Sequence, residues 1–181
     1  MTFTPTHATL REAAVAHLAR YATTQAGLTR VLDRRVERWA RTALAAPEAQ
    51  SAARQIARIV VAELAAAGLL DDAGFAAARA RSLTRSGRSR LAIAAHLAAR
   101  GVDGAIRDAL PQDAETELAA AVILVRRRHF GAFHTGDADD ARRQREFAVL
   151  ARAGFSREIA ASALGMAREE AEDRINRLRQ P

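Results

Sequence analysis

Small side chains set the terms on which this chain can fold. Alanine is by far its commonest residue, leucine supplies most of the bulky apolar positions, and the only aromatics are Trp39, Tyr21 and six Phe. Ala and Leu head the helix-propensity order, while the β-branched and aromatic residues that suit strands are scarce. A core built from such residues is thin and depends on close helix contacts. The expected fold is all-α.

Helical periodicity and stop signals divide the chain into about nine or ten short helices. Three are expected near 10–22, 28–42 and 51–67. Three more fall near 72–86, 89–100 and 103–110, then others near 113–128, 137–153, 156–164 and 167–178. Leu10, Ala14, Leu18 and Tyr21 share the first apolar face, and Thr9 with Glu12 reads as its capping box. Gly68 ends the third helix. Asp71 and Asp72 offer N-caps for the fourth, and Asp72, just before the Phe75 stripe, is the expected cap. Gly87 closes that helix, Ser89 caps the next and Gly101 stops it. The stretch from Phe130 to Gly136 reads as a loop.

A degenerate repeat runs through this pattern. Leu97-Ala-Ala-Arg-Gly101-Val-Asp-Gly-Ala-Ile106 aligns without a gap to Leu150-Ala-Arg-Ala-Gly154-Phe155-Ser-Arg-Glu-Ile159. Each is a helix, a glycine stop and a short helix. The chain divides accordingly into 1–67, a first three-helix repeat with an N-terminal segment, 68–111, the best-marked repeat, and 112–181, a third repeat plus a C-terminal helix. Such triplets bury little alone, so the expected architecture is tandem three-helix repeats stacked into an elongated, right- or left-curving array.

Charge narrows the class of partner. All 28 basic residues are Arg, and the net charge of +7 favours a polyanionic or acidic partner. From Ala73 to Val102 there are six Arg and no acid, namely Arg79, Arg81, Arg85, Arg88, Arg90 and Arg100. Arg81, Arg85 and Arg88 follow helical spacing and would share a face if the helix persists that far. Arg126, Arg127 and Arg128 form a second cluster, which could equally complement the negative end of a helix. These nine arginines are the candidate partner-binding residues.

Other chemistries find little footing. The absence of Cys removes a disulfide framework, a thiolate zinc site and a Cys nucleophile. The five His show no helical metal spacing, and His134 with Asp137, Asp139 and Asp140 reads as a solvated loop with an N-cap. No phosphate loop, nucleophile elbow or carboxylate dyad is marked, so neither an enzyme nor a cofactor is expected. Met1–Leu10 lacks the pattern of a signal peptide, and no uncharged run exceeds ten residues, so a cytoplasmic protein without membrane contact is expected. The alternative function is a helix-turn-helix transcription regulator using residues 156–178. Its recognition helix would begin with Glu169, Glu170, Glu172 and Asp173, which suit a helix start but repel phosphates, so a structural end-helix is the preferred reading.

The segment Gly68-Leu-Leu-Asp71-Asp72-Ala-Gly-Phe75-Ala, then Arg79, Arg81, Gly87, Ile93-x-x-x-Leu97-x-x-Arg-Gly101-Val, resembles the RecX family of bacterial RecA regulators. The ending of the third repeat, with Leu150, Gly154, Phe155 and Ile159, fits as well. Similarity is closest over 68–110 and weaker over 10–42 and 113–164. Two places depart from it. Ser89 and Arg90 stand where members often carry a second Gly and a Pro, and Ala-Thr-Thr-Gln-Ala-Gly (22–27) replaces a basic, Ser-containing turn. The motif is mainly structural, with the aspartates as caps, Phe75 as the large apolar anchor and the glycines as turns. The resemblance implies a partner, the RecA filament on single-stranded DNA, with possible phosphate contacts to that strand. It implies an inhibitor that limits recombination, ATP turnover and SOS co-protease activity. A monomer is expected.

Circular dichroism is expected to show an almost purely helical protein, and small-angle scattering a particle longer than a globule of this length. A substantial sheet signal or a compact sphere would contradict the repeat reading.

Overall fold

The computed structural model describes residues 3–136 and 139–179, the last by its backbone alone, so the expected helix start at Asp137 lies outside the described residues. The helices are α1 (His7–Leu18), α2 (Gln25–Ala43), α3 (Pro47–Ala66), α4 (Asp72–Arg85), α5 (Arg90–Ala99) and α6 (Gly104–Asp108). They continue as α7 (Ala114–Arg128), α8 (Asp140–Arg152), α9 (Arg157–Gly165) and α10 (Arg168–Arg179), with a 3-10 turn at Gly131–Phe133. No strand occurs among the described residues, and no helix there is long and apolar enough to cross a membrane. The chain is all-α.

Two compact units divide the chain inside α4, α5 and α6. The first comprises residues 1–76 with 98–106. There α1 and α2 pack on α3, and Leu10, Leu28, Leu32, Val60 and Leu64 are fully buried with Ala14 and Ala57 between them. The second comprises 77–97 with 107–181. Its centre is α7, buried on all sides from Ala119 to Val125, as expected of a helix that is apolar all round. Against α7 lie α9 and α10, whose contact positions include Ala160, Ala163, Ala171 and Ile175. Small residues at these contacts let thin helices approach closely enough to exclude water.

Several expected details shift. Helix α1 starts three residues early, and its capping box pairs Thr6 with Thr9 in place of Thr9 with Glu12. It stops at Leu18, so Tyr21 leaves the apolar face and is 58% exposed. The chain needs the intervening residues to turn before Thr24, the N-cap of α2. Phe75 is only half-buried; Ala76 is the α4 residue fully enclosed, because a small side chain occupies the point of closest approach. Asp71, not Asp72, caps α4, its Oδ1 accepting from the Gly74 N–H at 2.8 Å. Asp72 sits one position on in the first turn, and its Oδ1 accepts from the Gln25 N–H at 2.9 Å. It therefore serves the start of α2.

The aligned repeat segments are alike in three dimensions. Leu97 and Leu150 are fully buried, Val102 and Phe155 nearly so, and Gly101 and Gly154 have φ of +81° and +91°. Each segment closes a joint of one design. In the first unit, the buried Thr24 hydroxyl accepts from the Gly27 N–H at 2.9 Å and donates to the Arg100 carbonyl at 2.7 Å. In the second, the buried Ser89 hydroxyl accepts from the Ala92 N–H at 3.2 Å and donates to the Ala153 carbonyl at 2.6 Å. Arg100 and Ala153 are the aligned residues just before the two glycines. A first-turn carboxylate completes each joint, Asp72 on the Gln25 N–H and Glu117 on the Arg90 N–H at 3.0 Å. Side chains are excluded at the glycines. A Cβ on Gly101 would lie 2.3 Å from the Ala26 Cβ, and one on Gly154 would lie 2.7 Å from the Ser89 Oγ.

Replacing Asp71 by Ala should cost about 0.5–2 kcal/mol, as loss of an N-cap does. Hydrogen exchange should then quicken at the Gly74 amide. Asp72→Ala should instead quicken exchange at Gln25, and the reverse pairing would refute this assignment of caps.

Candidate partner-binding surface

The acid-free stretch supplies cations of two kinds, those occupied in holding the fold and those facing solvent. Arg79 is half-buried, and its Nε donates to His96 Nε2 at 3.1 Å, tying α4 to α5. Arg90 donates through its side chain to the Gln112 Oε1 at 3.2 Å, and its Nε lies 3.9 Å from the Glu117 carboxylate. Arg100 belongs to the first unit, where its carbonyl accepts from the Thr24 hydroxyl and from Arg30 at 3.0 Å, while its side chain is exposed. These residues are partly or wholly structural.

Arg81 and Arg85 lie four residues apart on α4 and are exposed, as helical spacing predicts. Arg88 does not continue their face. The helix ends at Arg85, and bonds from the Gly87 N–H to the Thr84 carbonyl and from the Arg88 N–H to the Leu83 carbonyl fold the chain back. Gly87 drives this turn against α7, since a Cβ there would stand 3.0 Å from the Leu124 nitrogen. Arg88 is thereby carried toward the end of α7, where Arg127 and Arg128 are exposed and Arg126 is half-buried. Arg127 donates to the Ser86 carbonyl at 2.9 Å, which fixes it beside the turn.

A fourth cation joins this group. Arg152, in the last turn of α8, lines the same depression of about 420 Å³ as Arg88, Arg127 and Arg128. The floor comes from Gly87, Ala92, Leu124, Val149 and Ala153, and the lining holds no acid among the described residues. All four arginines are exposed, and none forms an ion pair among the described residues. Arg152 escapes a reading by charge density because the 137–181 stretch balances nine Arg against nine acids. The repeat alignment held the usable signal, since it places Arg152 two residues before a turn glycine.

The remaining expectations find their places elsewhere. His134 is met by the Arg142 guanidinium at both ring nitrogens, and Arg142 also pairs with the buried Glu146 at 2.8 Å. Glu146 in turn accepts from the Gly131 N–H at 3.0 Å, so this cluster closes the 3-10 turn. In α10, Ala171 and Ile175 are buried in the core with α7, while Glu169, Glu170, Glu172 and Asp173 face solvent.

Glu117 carries the clearest electrostatic signature. Burial pushes its carboxyl above the ordinary carboxylate range, opposed by the hydrogen bond from the Arg90 amide and by the Arg90 charge. A raised folded value means that the native state holds a proton the unfolded chain has released. Stability contributed by this group is therefore present at low pH and lost as pH rises from the ordinary range through the raised folded value. Glu117→Gln should flatten that part of the stability profile in urea titrations across weakly acidic pH. An unchanged slope would show that other groups govern it.

Among known proteins, residues 71–110 match the family model described as RecX, second three-helix domain. The match opens at the capping Asp71, runs through α4, α5 and α6, and closes at Leu110 ahead of Pro111. No curated protein matches the chain. The motif at Asp71–Ala76, the turn at Gly87 and the Ile93–Val102 ending all fall inside the matched span, so residues 71–110 are similar to the second three-helix domain of RecX.

Proposed function

We propose that this chain regulates the RecA recombinase by binding its filament on single-stranded DNA. In this reading it acts by gripping a partner and performs no catalysis. Occupying the filament limits recombination, ATP turnover and the co-protease activity that triggers the SOS response. The RecX domain at 71–110 is the observation that carries the reading. The exposed arginines within and beside that domain supply a physical means, since a filament of protein and nucleic acid presents phosphate and acidic side chains together.

The Arg81 and Arg85 face of α4 meets acidic RecA surface, and contact with DNA is secondary. A chain with so few aromatics lacks the stacking platform by which single strands are commonly held.

The test is ATP turnover by RecA on single-stranded DNA, with and without this protein. Inhibition is the expected outcome. Replacing Arg81, Arg85 and Arg88 by Ala leaves helicity intact, because Ala is the best helix former at the two α4 positions and Arg88 lies beyond the helix. Three exposed contacts at about 0.2–1 kcal/mol each imply that roughly tenfold more protein is then needed for equal inhibition. The parent's inhibition should also weaken as salt rises. A folded triple variant that inhibits as well as the parent would remove these arginines from the mechanism.

A further inference from the structure

We infer that the depression walled by Arg88, Arg127, Arg128 and Arg152 seats the phosphodiester backbone of a nucleic-acid strand. This deepens the filament reading and rests on it for which strand arrives. The chemistry of the seat stands on the four side chains themselves.

Helix ends are the first competing explanation for such a cluster. Arg127 and Arg128 lie in the last turn of α7, Arg152 lies in the last turn of α8, and Arg88 follows the end of α4. Each helix C-terminus carries roughly half a negative charge, so three of them offset about 1.5 positive charges. Four guanidinium groups exceed that by more than two, and among the described residues no carboxylate lines the depression to absorb the excess. The surplus is available to a ligand.

The arrangement suits a repeating anion better than an isolated one. A single carboxylate is satisfied by one guanidinium in a two-bonded fork. Here four converge from the α4–α5 turn, α7 and α8, matching a strand that presents one phosphate after another. Arg127 is already held by the Ser86 carbonyl, which lowers the entropy lost on binding. The floor is small and apolar with no aromatic ring, so nothing in it reads or stacks on a base. Binding through such a seat is indifferent to sequence and sensitive to salt.

The experiment titrates a fluorescently labelled single-stranded oligonucleotide with the full chain at 50 to 200 mM salt, then with Arg88→Ala/Arg128→Ala/Arg152→Ala. Arg127 is left intact to preserve its bond to Ser86, and circular dichroism verifies folding. The parent should bind with affinity that falls steeply with salt. The triple variant should bind at least about tenfold more weakly at the lowest salt, with a log–log salt slope shallower by roughly two for three lost phosphate contacts. A second variant, Arg88→Lys/Arg152→Lys, keeps the charge and should retain most of the parent's slope, which separates charge from packing. Equal affinity and slope in parent and triple variant would overturn the seat. So would a triple variant that binds the oligonucleotide normally yet no longer inhibits RecA, because the depression would then receive an acidic protein face. Loss of oligonucleotide binding in the variant, with a parent that leaves RecA turnover unchanged, would sink the filament reading and leave the seat standing.

Discussion

Two buried hydroxyls, those of Thr24 and Ser89, hold the positions from which much of the remaining structure follows. Each lies where the N-terminus of one helix meets the C-terminal carbonyl of another out of reach of water. An N-terminus there needs an acceptor and the carbonyl needs a donor. A hydroxyl is both at once; a carboxylate, the other strong N-cap, offers no proton to the carbonyl. Deleting the Ser89 oxygen would strand a backbone group on each side, at about 1–3 kcal/mol for each unsatisfied group, whereas at Thr24 the Arg100 carbonyl would keep its bond from Arg30. In a chain whose core is mostly Ala, Leu and Val, with few aromatics, these bonds fix helix ends that apolar contact alone would leave free to slide.

The carboxylates beside the hydroxyls explain how this chain tolerates its departure from the RecX pattern it resembles. Ser89 and Arg90 stand where members often have Gly and Pro. A proline at position 90 could not donate from its nitrogen, whereas the Arg90 amide donates to both oxygens of Glu117. That bond accommodates a carboxylate in a buried place and partly opposes the upward push of burial on its titration. Asp72 plays the corresponding part toward Gln25 in the first unit, at a more open position. The turn at 22–27, weakly marked as a sequence, thus performs the work of the well-marked turn at 87–90.

What could be read beforehand follows from how local each signal is. Glycine stops and Leu-bearing faces are local, and the helix spans with the Leu97–Leu150 alignment emerged from them. Choosing between Asp71 and Asp72 depended on which one faces α2, a contact 47 positions away in sequence. Phe75 looked like an anchor because it is large, but close packing favours the small Ala76 beside it. Arg88 continues the helical spacing of Arg81 and Arg85, but the glycine stop expected at Gly87 prevails and turns the chain against α7 before Arg88 is reached. Arg152 was hidden by averaging charge along the chain, when the relevant average is taken across three helix ends.

Fold and proposed binding surface are consequently built from the same contacts. The Ser89 bond to Ala153 and the close fit of Gly154 against Ser89 hold the end of α8 to the start of α5. Arg152 precedes Ala153 and Arg88 precedes Ser89, so the bond that joins the helices also anchors the backbone positions that carry two of the cations. Like charges placed together repel, and the repulsion is screened in part by salt. The hydroxyl bond, buried and short, opposes that repulsion without screening. An anion arriving in the depression relieves the same repulsion, so its binding and the integrity of the joint reinforce each other.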